Sequence, residues 1–564
     1  MKNITEKIRQ QIKDVVLGSI HKSIENEELP SLDITDILIE IPREKGYGDF
    51  STNVAMQITK VAKKAPRQVA EIIIRNIDVK DTYIKKVTCA GPGFINFTLD
   101  TKYLYDAIEI IKEEKEQYGH INIGNGKKVM VEFVSANPTG PLHMGNARGG
   151  ALGDLIASVL DAAGYDVTRE FLINDAGNQI VKFGTSLEAR YIQLIKGADA
   201  VPFPQDGYQG EDIAEHMKDF IEIHGDKYLD VDSEERRKVF VDFALPRNLG
   251  KIKEGLESYG IHFDVWFSEQ TLHKGNDVAE TIQLLKDNDC TIENEGALWL
   301  KGSVIGSEKD EVLVRNNGIP TYFAADIAYH RNKFEKRGFE WVINLWGADH
   351  HGHVARMKAA MTAIGISPDK LDVVLFQLVR LYRNGEIARM SKRTGKSISL
   401  MDLVDEVGKD AVRFFFNNKT SGSHLDFDLD LAVKQSNENP VFYVQYAHAR
   451  ICSMLKLLES EGVHVPSVKD ANLELLDKEE EFELIKKLSE YPDEVRISAE
   501  TLEPSRLTRY VLEVAAAFHS FYNACRVRGE EEQLVKARLI LVDCTRIVIK
   551  NVLDLLSISA PDRM

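Results

Sequence analysis

Apolar residues recur at helical spacing at the start of the chain. Between Ile8 and Ile20 every fourth residue is apolar, which places these side chains on one face of a helix. Short runs typical of strands follow at Ile37–Ile41 and Phe94–Thr98. The pattern predicts a first unit of mixed α and β structure over residues 1–115.

A strand, a helix and a second strand follow in close succession. We predict a buried strand at Val129–Val134, a helix at Asn146–Ala163 that stops at Gly164, and a strand at Val167–Ile173. This order is typical of nucleotide-binding α/β folds. The pattern returns as strand, helix and strand at Trp341–Trp346, His351–Ile364 and Leu371–Leu381.

The rest of the chain is mainly helical in pattern. Residues 190 to about 300 are charged, and we interpret them as a mainly helical insertion into an α/β unit at 120–435. Asn384-Gly385 predicts a tight hairpin near the end of that unit. Residues 436–564 predict a helical bundle. Its helices are predicted at Val444–Leu458, Glu480–Ala499, Arg506–Arg526 and Glu532–Leu556.

Composition narrows the class of protein. The 564 residues are 43% hydrophobic and 28% charged, and no apolar run approaches the roughly 18 residues of a membrane span. The charged, amphipathic start lacks the apolar core of a signal peptide. The five cysteines are scattered without a CxxC pair, so neither zinc nor a disulfide framework is expected, and a cytoplasmic setting is favoured. The net charge of −17 disfavours indiscriminate nucleic-acid binding but allows a local basic face.

The loop between the first α/β strand and its helix is a candidate phosphate site. Pro141 and Gly145 let the backbone turn tightly, and a helix N-terminus attracts anions. His143 and Asn146, three residues apart, could donate hydrogen bonds to phosphate as charge develops. The alternative is a helix-capping asparagine beside a surface histidine.

A cationic loop follows a late strand of the same unit. Between Arg389 and Lys396 there are four cations, together with serine, threonine and glycine. Such a loop could close over a triphosphate and stabilise its leaving group. The alternative is an ordinary solvated run of charge.

Two further patterns indicate ligand contacts. Tyr322 and Asp326 are four residues apart, so on a helix their phenol and carboxylate share a face that suits a guanidinium. The alternative is an ordinary amphipathic helix with a solvated aspartate. His350, His351 and His353 invite a metal interpretation, but a loop entering a helix fits nucleotide contact better than zinc.

Aromatic and basic residues interleave in the predicted bundle, as at Tyr446 and Arg450 and again at Tyr522 and Arg526. Unstacked RNA bases bind by stacking on such side chains. The alternative is that the aromatic residues form the bundle core, which we prefer for Phe518 and its neighbour Phe521.

Taken together, the motifs resemble one family. His143–Asn146 resembles the HIGH-type motif of class I aminoacyl-tRNA synthetases, and Arg389–Arg393 resembles their KMSKS-type loop. Further runs, in order along the whole chain, are similar to arginyl-tRNA synthetases. These runs are GDFSTN (Gly48–Asn53), GPGFINF (Gly91–Phe97), SANPTGPLH (Ser135–His143), INDAGNQ (Ile173–Gln179), WGADHHGH (Trp346–His353), NPVFYVQYAHAR (Asn439–Arg450) and FYNACRV (Phe521–Val527).

The resemblance implies an α/β fold: a Rossmann-like class I synthetase catalytic domain with an α+β N-terminal domain and an all-α C-terminal bundle. The N-terminal domain would bind the outer corner of tRNA, and the bundle would bind the anticodon. The implied enzyme is a bacterial-type arginine–tRNA ligase that forms arginyl-adenylate from arginine and ATP, releasing pyrophosphate. It then transfers arginine to the 3′ end of tRNA(Arg) and releases AMP. Bound tRNA would be needed for activation, Mg²⁺ would accompany ATP, and no zinc, no membrane and a monomer are expected.

The resemblance also implies roles for individual residues. The catalytic residues would be His143, Asn146 and Lys392. ATP would also contact Pro141, Gly145, Gly347, His350, Met390 and Ser391. Arginine would contact Ser135, Asn137, Asn174, Tyr322, Asp326 and Asp349. The tRNA would contact Asn53, Tyr446, Arg450 and Arg526.

The sequence departs from the family pattern in both motifs. Asn146 stands where the HIGH-type motif has its second histidine, and Arg389 and Arg393 stand where the KMSKS-type loop has lysine and serine. Two alternatives follow: a synthetase-like paralogue that binds RNA or amino acid without full activity, and a nucleotidyltransferase of small substrates. The helical C-terminal unit argues against the second, and Lys392, Tyr322 and Asp326 argue against the first.

Overall fold

A computed structural model describes residues 3–32, 34, 37–42, 46–306, 309–388 and 398–564. Among these residues, no helix combines the length and apolar character that crossing a bilayer requires.

The N-terminal unit is mixed α and β, as predicted. Its three strands form an antiparallel sheet in the order β1-β3-β2, and α1 carries Ile8 and its neighbours into the core. The predicted strand at Ile37–Ile41 is wrong, because only Glu40 pairs, in a single bridge with Ser51. The elements are α1 (Ile4–Glu25), β1 (Phe50–Thr52), α2 (Val54–Gln57), α3 (Thr59–Ala62), α4 (Pro66–Asn76), β2 (Ile84–Ala90), β3 (Phe94–Leu99) and α5 (Lys102–Glu114).

A five-stranded parallel sheet forms the centre of the molecule, in the order β11-β10-β4-β5-β6, where β10 is Trp341–Gly347 and β11 is Leu371–Phe376. Its first elements are β4 (Lys128–Glu132), α6 (Met144–Ala162), β5 (Asp166–Ile173), α7 (Asn178–Lys196), α8 (Glu211–His224), α9 (Ser233–Ser258) and β6 (Val265–Ser268). The chain builds outward from β4 in one direction and later from β10 in the other. The strand order therefore reverses between these two strands, which is where doubly wound sheets bind ligands. The predicted Rossmann-like class is confirmed.

The stretch at 190–300 is mainly helical, as predicted, but it is not an insertion throughout. It contains β6, which pairs in parallel with β5 and so belongs to the central sheet. It also contains part of a small antiparallel sheet in the order β7-β8-β9. The elements here and up to the next sheet strand are α10 (Gln270–Lys274), α11 (Asp277–Asp287), β7 (Thr291–Asn294), β8 (Ala297–Leu300), β9 (Glu311–Val314), α12 (Tyr322–Arg331), β10 (Trp341–Gly347) and α13 (His351–Ala363).

The predicted strand at Leu371–Leu381 is divided between two sheets. Its first part pairs with β10, whereas its second part pairs with two later strands in the order β13-β12-β14. The hairpin at Asn384-Gly385 is confirmed, with φ of 52° and 78° at these two residues. The elements are β11 (Leu371–Phe376), β12 (Val379–Arg383), β13 (Glu386–Ile387), α14 (Leu400–Val407), α15 (Lys409–Asn417), β14 (Leu425–Asp428) and α16 (Leu429–Ala432).

The C-terminal unit is helical, as predicted, although the helix expected at Glu480–Ala499 is interrupted at Glu490. Its helices are α17 (Pro440–Ser460), α18 (Glu479–Ser489), α19 (Tyr491–Thr501), α20 (Ser505–Ala524) and α21 (Glu532–Leu555). The bundle also packs on the N-terminal unit, where Lys112 Nζ lies 2.5 Å from Asp543 Oδ2.

Candidate active site

A cavity of about 1110 Å³ opens where the order of the central sheet reverses. Its walls come from the ends of β4 and β10 and from the start of α6. Most of the predicted substrate contacts line it together. They are Ser135, Asn137, Pro141, His143, Gly145, Asn146, Asn174, Asp326, Gly347, Asp349 and His350.

The start of α6 holds the predicted phosphate-binding pair. His143 caps the helix, and its Nδ1 accepts a hydrogen bond from the Gly145 amide at 3.1 Å. Burial lowers the pKa of His143 from its usual value, which favours the neutral imidazole. Because Nδ1 accepts the Gly145 amide, the proton of the neutral ring lies on Nε2. Asn146 Oδ1 accepts the His143 amide at 3.1 Å, which leaves its Nδ2 protons for a ligand. Asn146 thus takes a capping role without losing its donors.

The end of this loop is joined to the chain that follows the cationic segment. The Leu400 amide donates to the Leu142 carbonyl at 2.9 Å, and His143 forms an antiparallel bridge with Ser399. The segment Arg389–Lys396, with Met390, Ser391 and Lys392, lies outside the described residues. The described chain resumes at Ile398, and Ser399 and Leu400 lie beside the first motif.

Strained backbone marks the start of the loop. Val134 and Ser135 have φ of 67° and 38°, and positive φ is uncommon for non-glycine residues and most unusual for a β-branched residue such as Val134. Ser135 Oγ donates to Glu132 Oε1 at 3.0 Å and accepts from the Leu172 amide at 3.1 Å. Asn174 Nδ2 donates to the Ser135 carbonyl at 3.0 Å. The Ser135 hydroxyl is therefore used within the protein.

Tyr322 and Asp326 lie one turn apart on α12, as predicted. Asp326 faces the main cavity, with Oδ2 3.3 Å from His353 Nε2. Tyr322 instead lines a neighbouring cavity of about 830 Å³, and its hydroxyl accepts the Asn178 amide at 2.6 Å. A Cβ at Gly177 would lie 2.7 Å from the Tyr322 ring, so only glycine permits this approach. The two predicted residues thus stand at the junction of two cavities.

Glu269 is a site residue that the sequence analysis did not find. It follows β6, is 8% exposed, and lines the second cavity with Tyr322. Burial raises its pKa to about 7, with further contributions from the charges of Asp326 and Asp175. In the sequence, Glu269 stands at the end of the apolar run that forms β6. Because that run lies within the predicted insertion, it was not recognised as a strand of the central sheet.

A network of buried polar side chains lies behind the cavity wall that carries Asp326. Lys333 Nζ lies 2.5 Å from Glu132 Oε2 and donates to Asn344 Oδ1 at 3.2 Å. Asn344 Nδ2 donates to His330 Nε2 at 2.6 Å, and His330 Nδ1 donates to the Asp326 carbonyl at 2.8 Å. Burial and the charge of Lys333 lower the pKa of His330 well below its usual value, which keeps it neutral. This hydrogen-bond network fixes the turn of α12 that carries Asp326.

The end of β10 supplies the other wall. Gly347, Asp349 and His350 line the cavity there, and the His350 ring lies 6.1 Å from that of Trp346. Among the described residues, His448, Cys452 and Asp562 are the group whose potential metal-ligating atoms lie within 4.8 Å of one another. They belong to the C-terminal unit, where His448 Nδ1 donates to the Pro561 carbonyl at 3.0 Å. These contacts fasten the C-terminal tail to α17.

The four predicted tRNA contacts lie in two different units. Asn53 is in the N-terminal unit, where its Oδ1 accepts from Gln57 Nε2 at 2.9 Å. Tyr446 and Arg450 share a surface of α17, whereas Arg526 lines a separate groove of about 630 Å³.

The surface around Tyr446 is an aromatic patch made by α17 and α20. Tyr446 stacks on Phe442 and His519, at ring distances of 6.1 and 6.3 Å, and is 36% exposed. The Arg450 guanidinium lies 4.1 Å from the centre of the Tyr522 ring. Phe518 and Phe521 are fully buried, which confirms their assignment to the bundle core.

Comparisons with known proteins agree with this architecture. Three family models match the chain in succession: Arginyl tRNA synthetase N terminal domain at 2–99, tRNA synthetases class I (R), catalytic domain at 107–435, and DALR anticodon binding domain at 444–564. Proteins named Arginine--tRNA ligase from Ruminiclostridium cellulolyticum and Acetivibrio thermocellus are 84% and 69% identical over 564 residues, covering 100% of each chain. A solved arginyl-tRNA synthetase from Thermus thermophilus, 21% identical, covers 97% of this chain and 99% of its own with a TM-score of 0.74, which supports the fold.

Proposed function

The chain belongs to the arginyl-tRNA synthetase family and is an arginine–tRNA ligase, and we propose that the cavity at the sheet reversal is where it activates arginine. One observation carries the proposal. The loop with His143 and Asn146, the carboxylate of Asp326 and the end of β10 line a single cavity, although the chain separates them by up to about 200 residues.

In the first step, a carboxylate oxygen of arginine attacks the α-phosphorus of ATP. A new P–O bond forms, the bond to the bridging oxygen breaks, and pyrophosphate leaves with its electron pair. Positioning and charge stabilisation supply most of the acceleration in such transfers. His143 Nε2–H and Asn146 Nδ2–H donate to phosphate oxygens, and Lys392 stabilises the departing pyrophosphate. The terminal ribose of tRNA then attacks the adenylate carbonyl and releases AMP.

Arginine is selected by three groups near the junction of the cavities. Asp326 and Glu269 pair with the guanidinium, and the Tyr322 hydroxyl adds a polar contact. A lysine ammonium cannot match the fork of a guanidinium, and it would leave a buried carboxylate poorly paired. The amides of Asn137 and Asn174, together with Asp349, serve the other end of arginine. The Ser135 hydroxyl already hydrogen-bonds Glu132 and Leu172, so Ser135 contributes by holding the backbone of the loop in place.

ATP occupies the part of the cavity between α6 and β10. Pro141 and Gly145 let the triphosphate approach the helix N-terminus, while Gly347 and His350 contact adenosine. Mg²⁺ would accompany ATP and offset part of the charge of the triphosphate, because magnesium is commonly bound by phosphate oxygens together with one or two carboxylates. Among the cavity carboxylates, Glu132 is already paired with Lys333.

The C-terminal bundle and the N-terminal unit are both proposed to contact the tRNA. The exposed Tyr446 and the Arg450–Tyr522 pair offer stacking surfaces to unpaired anticodon bases. Arg526 contacts the phosphate backbone, and the N-terminal unit with Asn53 contacts the outer corner of the tRNA. Binding at both places is proposed to be required before adenylate forms.

We also propose a monomer in the cytoplasm, divided into domains at 1–115, 120–435 and 436–564. All five cysteines are free thiols, as is usual in reducing compartments.

One experiment tests the function directly. Aminoacylation of bulk tRNA is measured with each amino acid in turn, with ATP and Mg²⁺. We expect charging with arginine alone, with release of AMP and pyrophosphate, and a severe loss in His143→Ala. Charging with another amino acid, or none at all, would contradict the proposal. Exchange of pyrophosphate into ATP should need both arginine and tRNA, and robust exchange without tRNA would remove the tRNA requirement.

A further inference from the structure

The helices inserted between β5 and β6 reach the active-site cavity. Tyr208, in the connection from α7 to α8, lines the cavity and hydrogen-bonds Gln179. From α9, Asn248 Nδ2 donates to the Pro138 carbonyl at 3.0 Å. Pro138 belongs to the loop that leads into His143. A segment whose role was not evident from its sequence therefore contacts the loop that carries His143.

A second buried residue holds Asn248 in place. His216 Nε2 on α8 lies 2.7 Å from Asn248 Oδ1. The Asn248 amide nitrogen already donates to Pro138, so its oxygen must accept and His216 must carry its proton on Nε2. His216 and Asn248 are 1% and 4% exposed, so water does not readily replace either bond. The amide orientation and the histidine tautomer are thereby both determined.

The Asn248 contact lies in the middle of a loop whose other hydrogen bonds are at its two ends. At its start, Ser135 is held by Glu132 and Leu172, and at its end Leu142 is held by Leu400. Between Asn137 and Pro141, the bond from Asn248 is the one hydrogen bond that the described residues make to the loop. Pro138 and Thr139 are buried, so packing also holds this part of the loop, but losing the bond would remove the hydrogen bond that fixes its orientation.

We propose that Asn248, oriented by His216, is a positioning residue for adenylate formation. It fixes Pro138 and thereby sets the placement of Gly145 and the His143 imidazole relative to the phosphates of ATP. The inserted helices are on this view part of the active-site framework. A misplacement of about 1 Å can cost about 100-fold in rate. The inference rests on the proposed function of the cavity, because it assigns Asn248 to the same reaction.

The test compares three variants in pyrophosphate exchange with tRNA present. Asn248→Leu removes both hydrogen bonds at similar side-chain volume. His216→Leu removes the support for the amide, whereas His216→Gln keeps an N–H donor near the position of Nε2. We expect Asn248→Leu to lower kcat by at least about tenfold and to raise KM for ATP, with a smaller rise in KM for arginine through Asn137, which precedes Pro138. His216→Leu should change in the same direction, and His216→Gln should stay close to wild type.

A matched control separates positioning from general destabilisation. Asn551 is 6% exposed and donates to the carbonyls of Lys115 and Tyr118 at 2.8 and 3.0 Å, away from the cavity. Asn551→Leu therefore orphans backbone carbonyls in the same way. Per folded molecule, measured by circular dichroism, Asn551→Leu should keep wild-type kinetics. A loss in Asn248→Leu no greater than in this control, or an equal rise in KM for arginine, would overturn the inference.

The remaining outcomes are also decisive. If Asn248→Leu does not fold, the comparison of His216→Leu with His216→Gln tests the inference instead. Equal kinetics in these two variants would refute the proposal that His216 orients Asn248. If wild type shows no arginine-dependent exchange with tRNA, the proposed function itself fails. If His143→Ala is impaired while Asn248→Leu is not, only the inference about Asn248 fails.

Discussion

Arginine binding should depend on the protonation of Glu269. Burial raises the pKa of this carboxyl to about 7, with Asp326 and Asp175 adding to the effect. A guanidinium pairs with a carboxylate and not with a neutral acid, so the proton of Glu269 must leave when arginine binds. Arginine should therefore bind more weakly as the pH falls through 7. If the glutamate had an ordinary pKa, the affinity for arginine would not change above pH 6.

The size of the effect follows from that pKa. The apparent KM for arginine rises by the factor one plus the ratio of protonated to ionised Glu269. With a pKa of about 7 the factor is about 11 at pH 6 and about 1.1 at pH 8, a change of about tenfold or 1.4 kcal/mol. In Glu269→Gln, the apparent KM for arginine should not change with pH. At pH 8 its KM should be higher by about 10- to 150-fold, the value of a hydrogen bond to a charged group.

The assay is tRNA-dependent pyrophosphate exchange from pH 6 to 8, with KM for ATP measured in parallel. Glu293→Gln is the matched control, because Glu293 lies on the nearby β7 with a side chain that is 79% exposed. This control should keep the wild-type pH dependence. A wild-type KM for arginine that is constant over this range, or the same slope in Glu269→Gln, would refute the placement of Glu269 against the guanidinium.

Three further predictions follow from the same geometry. Asp326→Ala should raise KM for arginine by about 10- to 100-fold with KM for ATP within about twofold, and unchanged arginine kinetics would remove Asp326 from the pocket. Asn146→His should leave the exchange rate close to wild type, because an imidazole can also donate to phosphate; a large gain in rate would show that the amide limits adenylation. Lys333→Met should lower the free energy of unfolding by about 3–5 kcal/mol in urea titrations, because Glu132 is left buried without its cation. Adding Glu132→Gln should restore part of that loss, and strictly additive losses would contradict the pairing.

Elements that depend on local pattern were predictable from the sequence. The helix after the first α/β strand and its stop were expected, and Gly164 has the positive φ, 86°, that ends such a helix. The hairpin at Asn384-Gly385 was also expected, because only a few residue types tolerate its backbone angles. In these cases the side-chain spacing or the residue type is itself the physical cause of the structure.

The predictions were wrong where a strand pairs with a segment that is distant in the sequence. The segment Leu371–Leu381 was predicted as one strand, yet its two halves pair with different sheets. The strand β6 was hidden because the charged helices before it suggested an insertion. Strand pairing depends on which edge is available in the folded molecule, and periodicity along the chain does not encode that choice.

The sequence by itself determined which chemical groups this protein carries and in which local settings. A tight loop with His143 and Asn146, a helix with Asp326 and an aromatic C-terminal bundle all follow from residue type and spacing. Only the tertiary structure brought Glu269 into the electrostatic reach of Asp326 and placed Asn248 on the Pro138 carbonyl. Burial and hydrogen bonding between distant segments arise from the order of strands in the sheet, so they shift pKa values and orient loops only after the chain has folded.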